Sequence, residues 1–518
     1  MNEMVPYQQF LKLKELPMPL PAPSYSDVLK ISSDFGFKFE TFDRDVLMST
    51  VDNMISSYRF LDAMPNPYRE VTYSRTLGSP PKPEENPLNA WAWRCSIKGS
   101  EDGILKGKKL ALKDNISLAG IPLMNGTRVL EGFIPREDAT VVYRVLEAGG
   151  EIIGKAVCES FCFSGGSHTS EPMPVLNSHD HEYMAGGSST GCAALLSSGA
   201  VDLAIGGDQG GSVRMPASWS GIVGLKATYG LVPYTGIMPI EGTLDHAGPM
   251  ARSVSDVALL LQAIAGPDGM DPRQVSVVQG DYVGAAAQDC NGLRVGLLKE
   301  SFEWEGRSDP EVSNLIKQSA EKLKKDGVSV QEISIPGHKD GVHIWNGIAI
   351  EGATAQMVVG NGSGWNWKGH YNLDLVDFYS RSRKRNGSDF PWTVQLVATL
   401  GQYMADKYGG HYYAKSQNLG RALANDYDRA LENLDVLILP TTPMTAMKLN
   451  TDQALPEYLD SALGMIQNTC PFDFTGHPAI SVPCGKIDGM PVGLMVVGRR
   501  FDEASVLRIA SAIEKLTQ

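Results

Sequence analysis

What this sequence has little of narrows its class before any motif is read. Its apolar residues never run far, and stretches such as Val257 to Leu261 fall well short of a membrane span. Seven cysteines among 518 residues, at 95, 158, 162, 192, 290, 470 and 484, include no C-x-x-C pair. The odd, irregular set predicts free thiols in a reducing, cytoplasmic compartment and argues against a disulfide framework. Positive charge is also short: 46 Lys and Arg face 59 Asp and Glu, for a net charge of −13. Nucleic acid and anionic membrane surfaces, which need a basic patch, are therefore not expected partners. The opening MNEMVPYQQFLKLKELPMPLPAP has no basic region followed by an apolar run, so no secretory signal is expected. There is no internal repeat and no low-complexity tract.

What is there is ordinary globular material, 42% hydrophobic and 20% charged, in a chain too long for one simple core. Two or three structural units are expected. The chain is organised around Ala185 to Pro216, AGGSSTGCAALLSSGAVDLAIGGDQGGSVRMP. Two glycine-flanked serine sites lie there, Gly186-Gly187-Ser188-Ser189-Thr190-Gly191 and Gly206-Gly207-Asp208-Gln209-Gly210-Gly211-Ser212, joined by an apolar segment long enough for one helix and one strand. Glycine at this density lets the backbone turn sharply and aim several N–H groups into one small volume. A serine at the edge of such an anion hole is a candidate nucleophile. Two other uses of glycine runs fail on spacing. Cys192 follows where a phosphate loop needs its lysine, and neither stretch has the G-x-G-x-x-G of a dinucleotide site.

With GGSS at its start and D-x-GGS-x-R-x-P at its end, the stretch resembles the signature of the amidase signature family of serine hydrolases. Thr190 and Cys192 depart from the family's more usual Gly or Ser followed by Ser. The resemblance runs over roughly residues 90 to 518, with Lys113-Asp114-Asn115 and GHPAISVPCG as further matches. It implies an α/β fold with a mixed sheet covered by helices on both faces. It also implies a Ser-cisSer-Lys triad of Ser212 as nucleophile, Ser188 as relay on a cis peptide, and Lys113 as base. The N–H groups of Gln209, Gly210, Gly211 and Ser212 would form the oxyanion hole. Ser189 would hydrogen-bond the lysine, Asp208 and Arg214 would support the loop, and Cys162 and Gly165, in FCFSGGS, would contact substrate. No cofactor and no metal are implied.

The residues read independently are compatible with this. Leu110-Ala111-Leu112 make a strand that carries Lys113 to its end, where open α/β sheets place their sites. Burial there disfavours the ammonium form, and only the neutral amine accepts a proton. Of the nine histidines, His168, His179, His181, His246 and His477 lie in loops without a triad context and read as surface or supporting residues. His179-Asp180-His181-Glu182 lacks a third ligand at helical spacing and reads as no metal site.

Along the chain, residues 1–88 read as an N-terminal helical unit. Val28, Ile31 and Phe35 share one helix face, and Leu47, Val51, Met54, Ile55, Tyr58 and Leu61 share another behind the cap Asp43. Pro80 to Pro87 reads as a linker. Two amphipathic helices cannot bury their own apolar faces and need either the main domain or a second subunit to do so. The N-terminal unit resembles the dimerisation domain of enantioselective bacterial amidases, which implies a homodimer. Residues 89–336 and 434–518 read as the catalytic domain. Residues 337–433, with Trp345, Trp365 and Trp367, read as an inserted subdomain over the active face, and Arg381 to Arg385 as a solvated loop. The resemblance implies hydrolysis of a monocarboxylic amide with an aromatic or otherwise hydrophobic acyl group. Two other readings stay open: the A subunit of a glutamine-dependent aminoacyl-tRNA amidotransferase, and a hydrolase of esters, carbamates, hydrazides or aryl amides.

Overall fold

The computed structural model describes residues 20–516, and the proline-rich arm expected before Leu20 lies outside them. The chain divides into two compact units, with the boundary between Glu70 and Val71. In the first, Ser24 closes a capping box with Asp27 at the start of the helix Tyr25–Asp34, and Asp43 caps the helix Arg44–Ala63. Both caps satisfy N–H groups that a helix leaves free at its first turn. No residue of Arg44–Ala63 is buried, and Met54, Tyr58, Phe60 and Leu61 are all more than half exposed.

The second unit is built on one mixed sheet of twelve strands. In chain order these are β1 (Thr76–Ser79), β2 (Trp91–Lys98), β3 (Lys109–Lys113), β4 (Glu151–Ala156), β5 (Leu203–Asp208), β6 (Val223–Lys226), β7 (His246–Ala251), β8 (Arg294–Leu298), β9 (Ser329–Ile333), β10 (Val436–Pro440), β11 (Ala479–Ile487) and β12 (Met490–Gly498). They lie in the order β1-β2-β4-β3-β5-β7-β6-β11-β12-β10-β8-β9. β3 runs parallel to both β4 and β5, and β8 to both β9 and β10, while the other pairs are antiparallel. Side chains alternate across the sheet as the pleat requires. Leu110, Leu112, Leu203 and Ile205 join one apolar core with the helices Thr140–Glu147, Val254–Ile264, Pro310–Leu323 and Glu503–Lys515. Ala111 and Ala204 face the other side, against the helix Thr190–Ser197. Lys113, two residues beyond Ala111, falls on that second side.

Three expectations change. Residues 71–88 do not belong with the N-terminal helices, because β1 pairs antiparallel with β2 and joins the sheet. Arg381 to Arg385 are not a loop but the last turn of the helix Leu373–Arg385, with Ser382 buried beneath them. Cations there complement the partial negative charge of a helix C-terminus. Residues 337–433 are chiefly helical, with Gly341–Ala353, Trp392–Tyr408 and His411–Glu432 as the other long helices, and they share one compact unit with the sheet.

Candidate active site

Lys113 is the last residue of β3 and Asp208 the last of β5, its parallel neighbour, so the loops that follow leave the sheet side by side. Lys113 is fully buried. Its Nζ donates to Ser188 Oγ at 2.7 Å and to the Gly207 carbonyl at 3.0 Å. Ser188 is also fully buried, and the Gly187–Ser188 peptide is cis. Backbone bonds hold its loop: Gly187 N–H donates to Gly165 O at 2.7 Å, Glu159 N–H to Ser188 O at 3.1 Å, and Ser189 N–H to Ser212 O at 3.1 Å. The last of these ties the two serine loops together. Among the described residues no hydrogen bond joins Ser188 Oγ to Ser212 Oγ, and catalytic contacts are often loose before a substrate arrives.

Charged side chains hold the Ser212 loop. Asp208 Oδ1 accepts from Gly211 N–H at 2.6 Å, and its Oδ2 from Val213 N–H at 3.0 Å. Arg214 donates to the same carboxylate through Nε at 3.0 Å and Nη2 at 2.9 Å. Nη2 also reaches Asp473 Oδ2 at 2.8 Å, and Nη1 reaches the Thr469 carbonyl at 2.8 Å. All three charged groups are buried. Burial opposes ionisation of Asp208, but the Arg214 charge and its hydrogen bonds outweigh it and hold the carboxyl well below the usual carboxylate range. Asp473 moves the other way, since burial and the negative charge of Asp208 raise it. One guanidinium therefore sits between a carboxylate that stays ionised and one that favours its proton.

Asp208 and Arg214 thus brace the loop as expected. Two other assignments need correction. The Gly211 N–H is spent on Asp208, which leaves the N–H groups of Gln209, Gly210 and Ser212 as those without an acceptor among the described residues. Ser189 does not bond Lys113. Its hydroxyl donates to the Gly207 carbonyl at 3.2 Å and accepts from Gly207 N–H at 3.3 Å, so the two side chains meet on one backbone oxygen. Gly211 is required for a different reason, because its φ of 134° is one that L side chains rarely adopt and a Cβ would lie 2.3 Å from Thr469 Oγ1.

Cys162 and Gly165 line a cavity together with Gln209, Gly210 and Ser212. Its other walls are apolar, among them Phe163 and Trp345. Its volume is about 30 Å³, roughly two to three times the least that holds one water molecule. A roomier pocket of about 480 Å³, between Glu241, Trp365 and Tyr413, touches none of the three triad candidates. We assign the chemistry to the small cavity because it holds Ser212.

Three contributors escaped the sequence reading. Trp345 Nε1 donates to the Gln209 carbonyl at 2.7 Å, and its ring lies over Gly210, where a Cβ would meet it at 3.0 Å. Thr469 Oγ1 donates to the Gly210 carbonyl at 2.6 Å. Asp473 completes the clamp on Arg214; an acid between Phe472 and Phe474 was the signal available for it. His168, His246 and His477 are buried rather than at the surface, and among the described residues no histidine bonds Lys113, Ser188 or Ser212. No group of three or more His, Cys, Asp or Glu able to hold a metal occurs among the described residues.

The sequence profile of the family described as Amidase matches residues 83–507. An enantioselective amidase from Rhodococcus rhodochrous is 47% identical over 455 residues, covering 85% of this chain and 87% of that protein. The A subunit of glutamyl-tRNA(Gln) amidotransferase from Methanosarcina mazei is 35% identical, covering 81% and 86%. Among solved structures, the corresponding A subunit from Thermotoga maritima superposes with a TM-score of 0.68 at 31% identity over 83% of this chain and 88% of that one. The peptide amidase from Stenotrophomonas maltophilia gives 0.64 at 29% identity over 80% and 83%.

Proposed function

The chain belongs to the amidase family and is an amide-hydrolysing enzyme, and from that premise we propose that it cleaves monocarboxylic amides through an acyl-enzyme on Ser212. The observation that carries this reading is the buried 2.7 Å contact of Lys113 Nζ with Ser188 Oγ, beside three unengaged N–H groups at Gln209, Gly210 and Ser212. A neutral Lys113 amine takes the Ser188 proton while Ser188 takes that of Ser212. Ser212 Oγ then attacks the carbonyl carbon, and the oxyanion settles against the three N–H groups. Run in reverse, the relay protonates the leaving amine, and water releases the acid by the same path.

The apolar walls around Cys162 and Trp345 favour a hydrophobic acyl group, and a cavity of about 30 Å³ means that those walls part to admit one. The relay itself does not select the leaving group, so esters, carbamates, hydrazides and aryl amides belong in the first substrate panel. The test is a fluorophosphonate probe followed by peptide mass analysis, with ammonia release from amides measured in parallel. Labelling at Ser212 that tracks loss of activity is expected; labelling at another serine overturns the assignment. The amidotransferase reading would require glutaminase activity and a copurifying partner protein, and the greater identity to the Rhodococcus enzyme favours the free amidase.

A homodimer is part of the proposal, supported by the exposed Met54, Tyr58, Phe60 and Leu61 of the N-terminal helix. Light scattering of the full chain should return twice its 56.0 kDa mass. Seven unpaired cysteines support a reducing, cytoplasmic setting. No helix of the described residues is long and apolar enough to cross a membrane.

A further inference from the structure

Two thiols lie beside the proposed relay, one of them in the wall of the acyl cavity, and neither takes part in its proton transfers. Cys158 precedes the short turn Ser160–Cys162 that follows β4, Cys162 is its last residue, and both are buried. Their Sγ atoms donate to one acceptor, Asn125 Oδ1, at 3.5 and 3.1 Å. Asn125 cannot easily retreat. Its N–H donates at 3.0 Å to Asp114 Oδ2, and Asp114 is fixed by a buried ion pair of 2.9 Å with Lys155. The two sulfurs are therefore converged on one point by a braced side chain.

Their surroundings differ. Cys162 lines the cavity that holds Ser212, whereas Cys158 lies behind it. Burial works against ionisation of Cys162, but hydrogen bonding with Cys158 and, in the protonated form of Lys113, the charge of that side chain outweigh it and bring its pKa down to about 7. Burial and the neighbouring Cys162 push Cys158 well above the ordinary thiol range. Gln209, another residue of the same wall, carries a buried Oε1 that has no hydrogen-bond partner among the described residues. A space of about 30 Å³ with one soft nucleophile in its wall suits a guest little larger than water.

We propose that Cys162 and Cys158 form an oxidative modification site at which a small peroxide, entering the acyl cavity, converts the pair to a disulfide and stops hydrolysis. The Cys162 sulfur attacks one oxygen of hydrogen peroxide and the O–O bond breaks. Hydroxide leaves and takes up the thiol proton as water, so Cys162 becomes a sulfenic acid. Cys158 sulfur then displaces the sulfenic hydroxyl, which departs as a second water with the Cys158 proton, and an S–S bond replaces the S–O bond. Two thiols lose two electrons and one peroxide gains them. The new bond takes both sulfurs off Asn125 and reshapes the wall beside Lys113 and Ser188. A thiol reductant reverses it.

The experiment treats the full-length enzyme with hydrogen peroxide and reads peptide mass and amide hydrolysis in parallel. Only the activity arm rests on the hydrolase reading, so failure of one can be told from failure of the other. The expected result is a loss of about 2 Da on the peptide carrying both cysteines, with hydrolysis down about tenfold or more and restored by dithiothreitol. Cys158→Ser should leave a sulfenic acid at Cys162 that a cyclic 1,3-diketone traps, with activity regained only from untrapped protein. Cys162→Ala should keep its own untreated rate under the same dose. Both thiols remaining free to alkylation after treatment, or oxidation confined to the half-exposed Cys95, overturns the site. A disulfide that forms without loss of hydrolysis overturns its effect on the enzyme. Where Cys162→Ala does not fold, the wild-type mass and the Cys158→Ser trap decide.

Discussion

The two serine loops meet at one hydrogen bond, yet they are held by opposite means. The Ser188 loop hangs on backbone groups, Gly187 to Gly165 and Ser188 to Glu159, with no ion pair among these contacts. The Ser212 loop hangs on ions, with Asp208 bridging Gly211, Val213 and Arg214, and Asp473 closing the far side. On the proposed mechanism the difference follows from what each loop would have to do. A relay hydroxyl needs only a fixed position. An oxyanion hole needs several N–H groups turned inward at once, and an ionised carboxylate on the outer side of the turn draws Gly211 and Val213 away and leaves their neighbours facing the cavity. The cost is exposure to single changes, because removal of one member of a buried ionic set strands the others.

This contrast can be broken first at the chemistry. Ser212→Ala should lower kcat/KM by about 10⁴-fold or more with an unchanged melting temperature. Lys113→Arg, which keeps the charge but has no neutral form to offer in the working range, should cost about 10²–10⁴-fold. Substantial turnover by the arginine variant would return the base to another residue. The next effect is on stability. Asp208→Asn leaves Arg214 with one partner that favours its proton, and denaturant unfolding should show a loss of about 3–5 kcal/mol. Ser189→Ala, on the backbone-held side, removes one hydroxyl that bonds Gly207 and should cost only about 1 kcal/mol. Equal losses for these two variants would refute the contrast.

The smallest effect is one of pH. Lys226 lies buried below the ionic loop, with Nζ 3.3 Å from His246 Nε2, and burial brings its pKa down from the ordinary 10.5 to about 7. Between those values the unfolded chain binds the proton that the folded chain does not. Stability contributed by this group therefore rises as pH climbs from about 7 towards 10.5 and is lost below about 7. Lys226→Met should flatten that rise, which urea titrations at pH 7 and pH 9 would measure. An unchanged slope would show that the amine is not held neutral.

Much of this was legible in the residues. The strand Leu110 to Leu112 delivered Lys113 to its end because a short apolar run and a following Asp114-Asn115 are local signals. The cap Asp43 was readable for the same reason. What failed was non-local. Whether Gly211 N–H faces an oxyanion or Asp208 depends on how far a carboxylate bends back over its own loop, and no spacing records that. Thr469 and Asp473 reach Arg214 from more than 250 residues away. Pro80 to Pro87 is irregular chain with one short helical turn, as its prolines suggested, but it joins β1 to β2 within one compact unit, and no composition records that the strand before it pairs with the strand after it. The basic run looked like a loop because its charges are solvated, and a helix end solvates charge equally well.

The sheet order also bears on how the molecule is made. β11 and β12 lie in the middle of the sheet, between β6 and β10, although they are the last two strands along the chain. A nascent chain that has emerged only as far as β10 holds the two halves of the sheet with open edges facing each other, at β6 and at β10. Such edges are templates for wrong pairing with other chains. The C-terminal hairpin then acts as a closing wedge, whose insertion joins the half bearing Lys113 and Ser212 to the half bearing β8 and β9. Interrupting synthesis before residue 479 should leave an aggregation-prone chain, whereas supplying the 479–498 hairpin as a separate peptide offers a direct way to watch the sheet close.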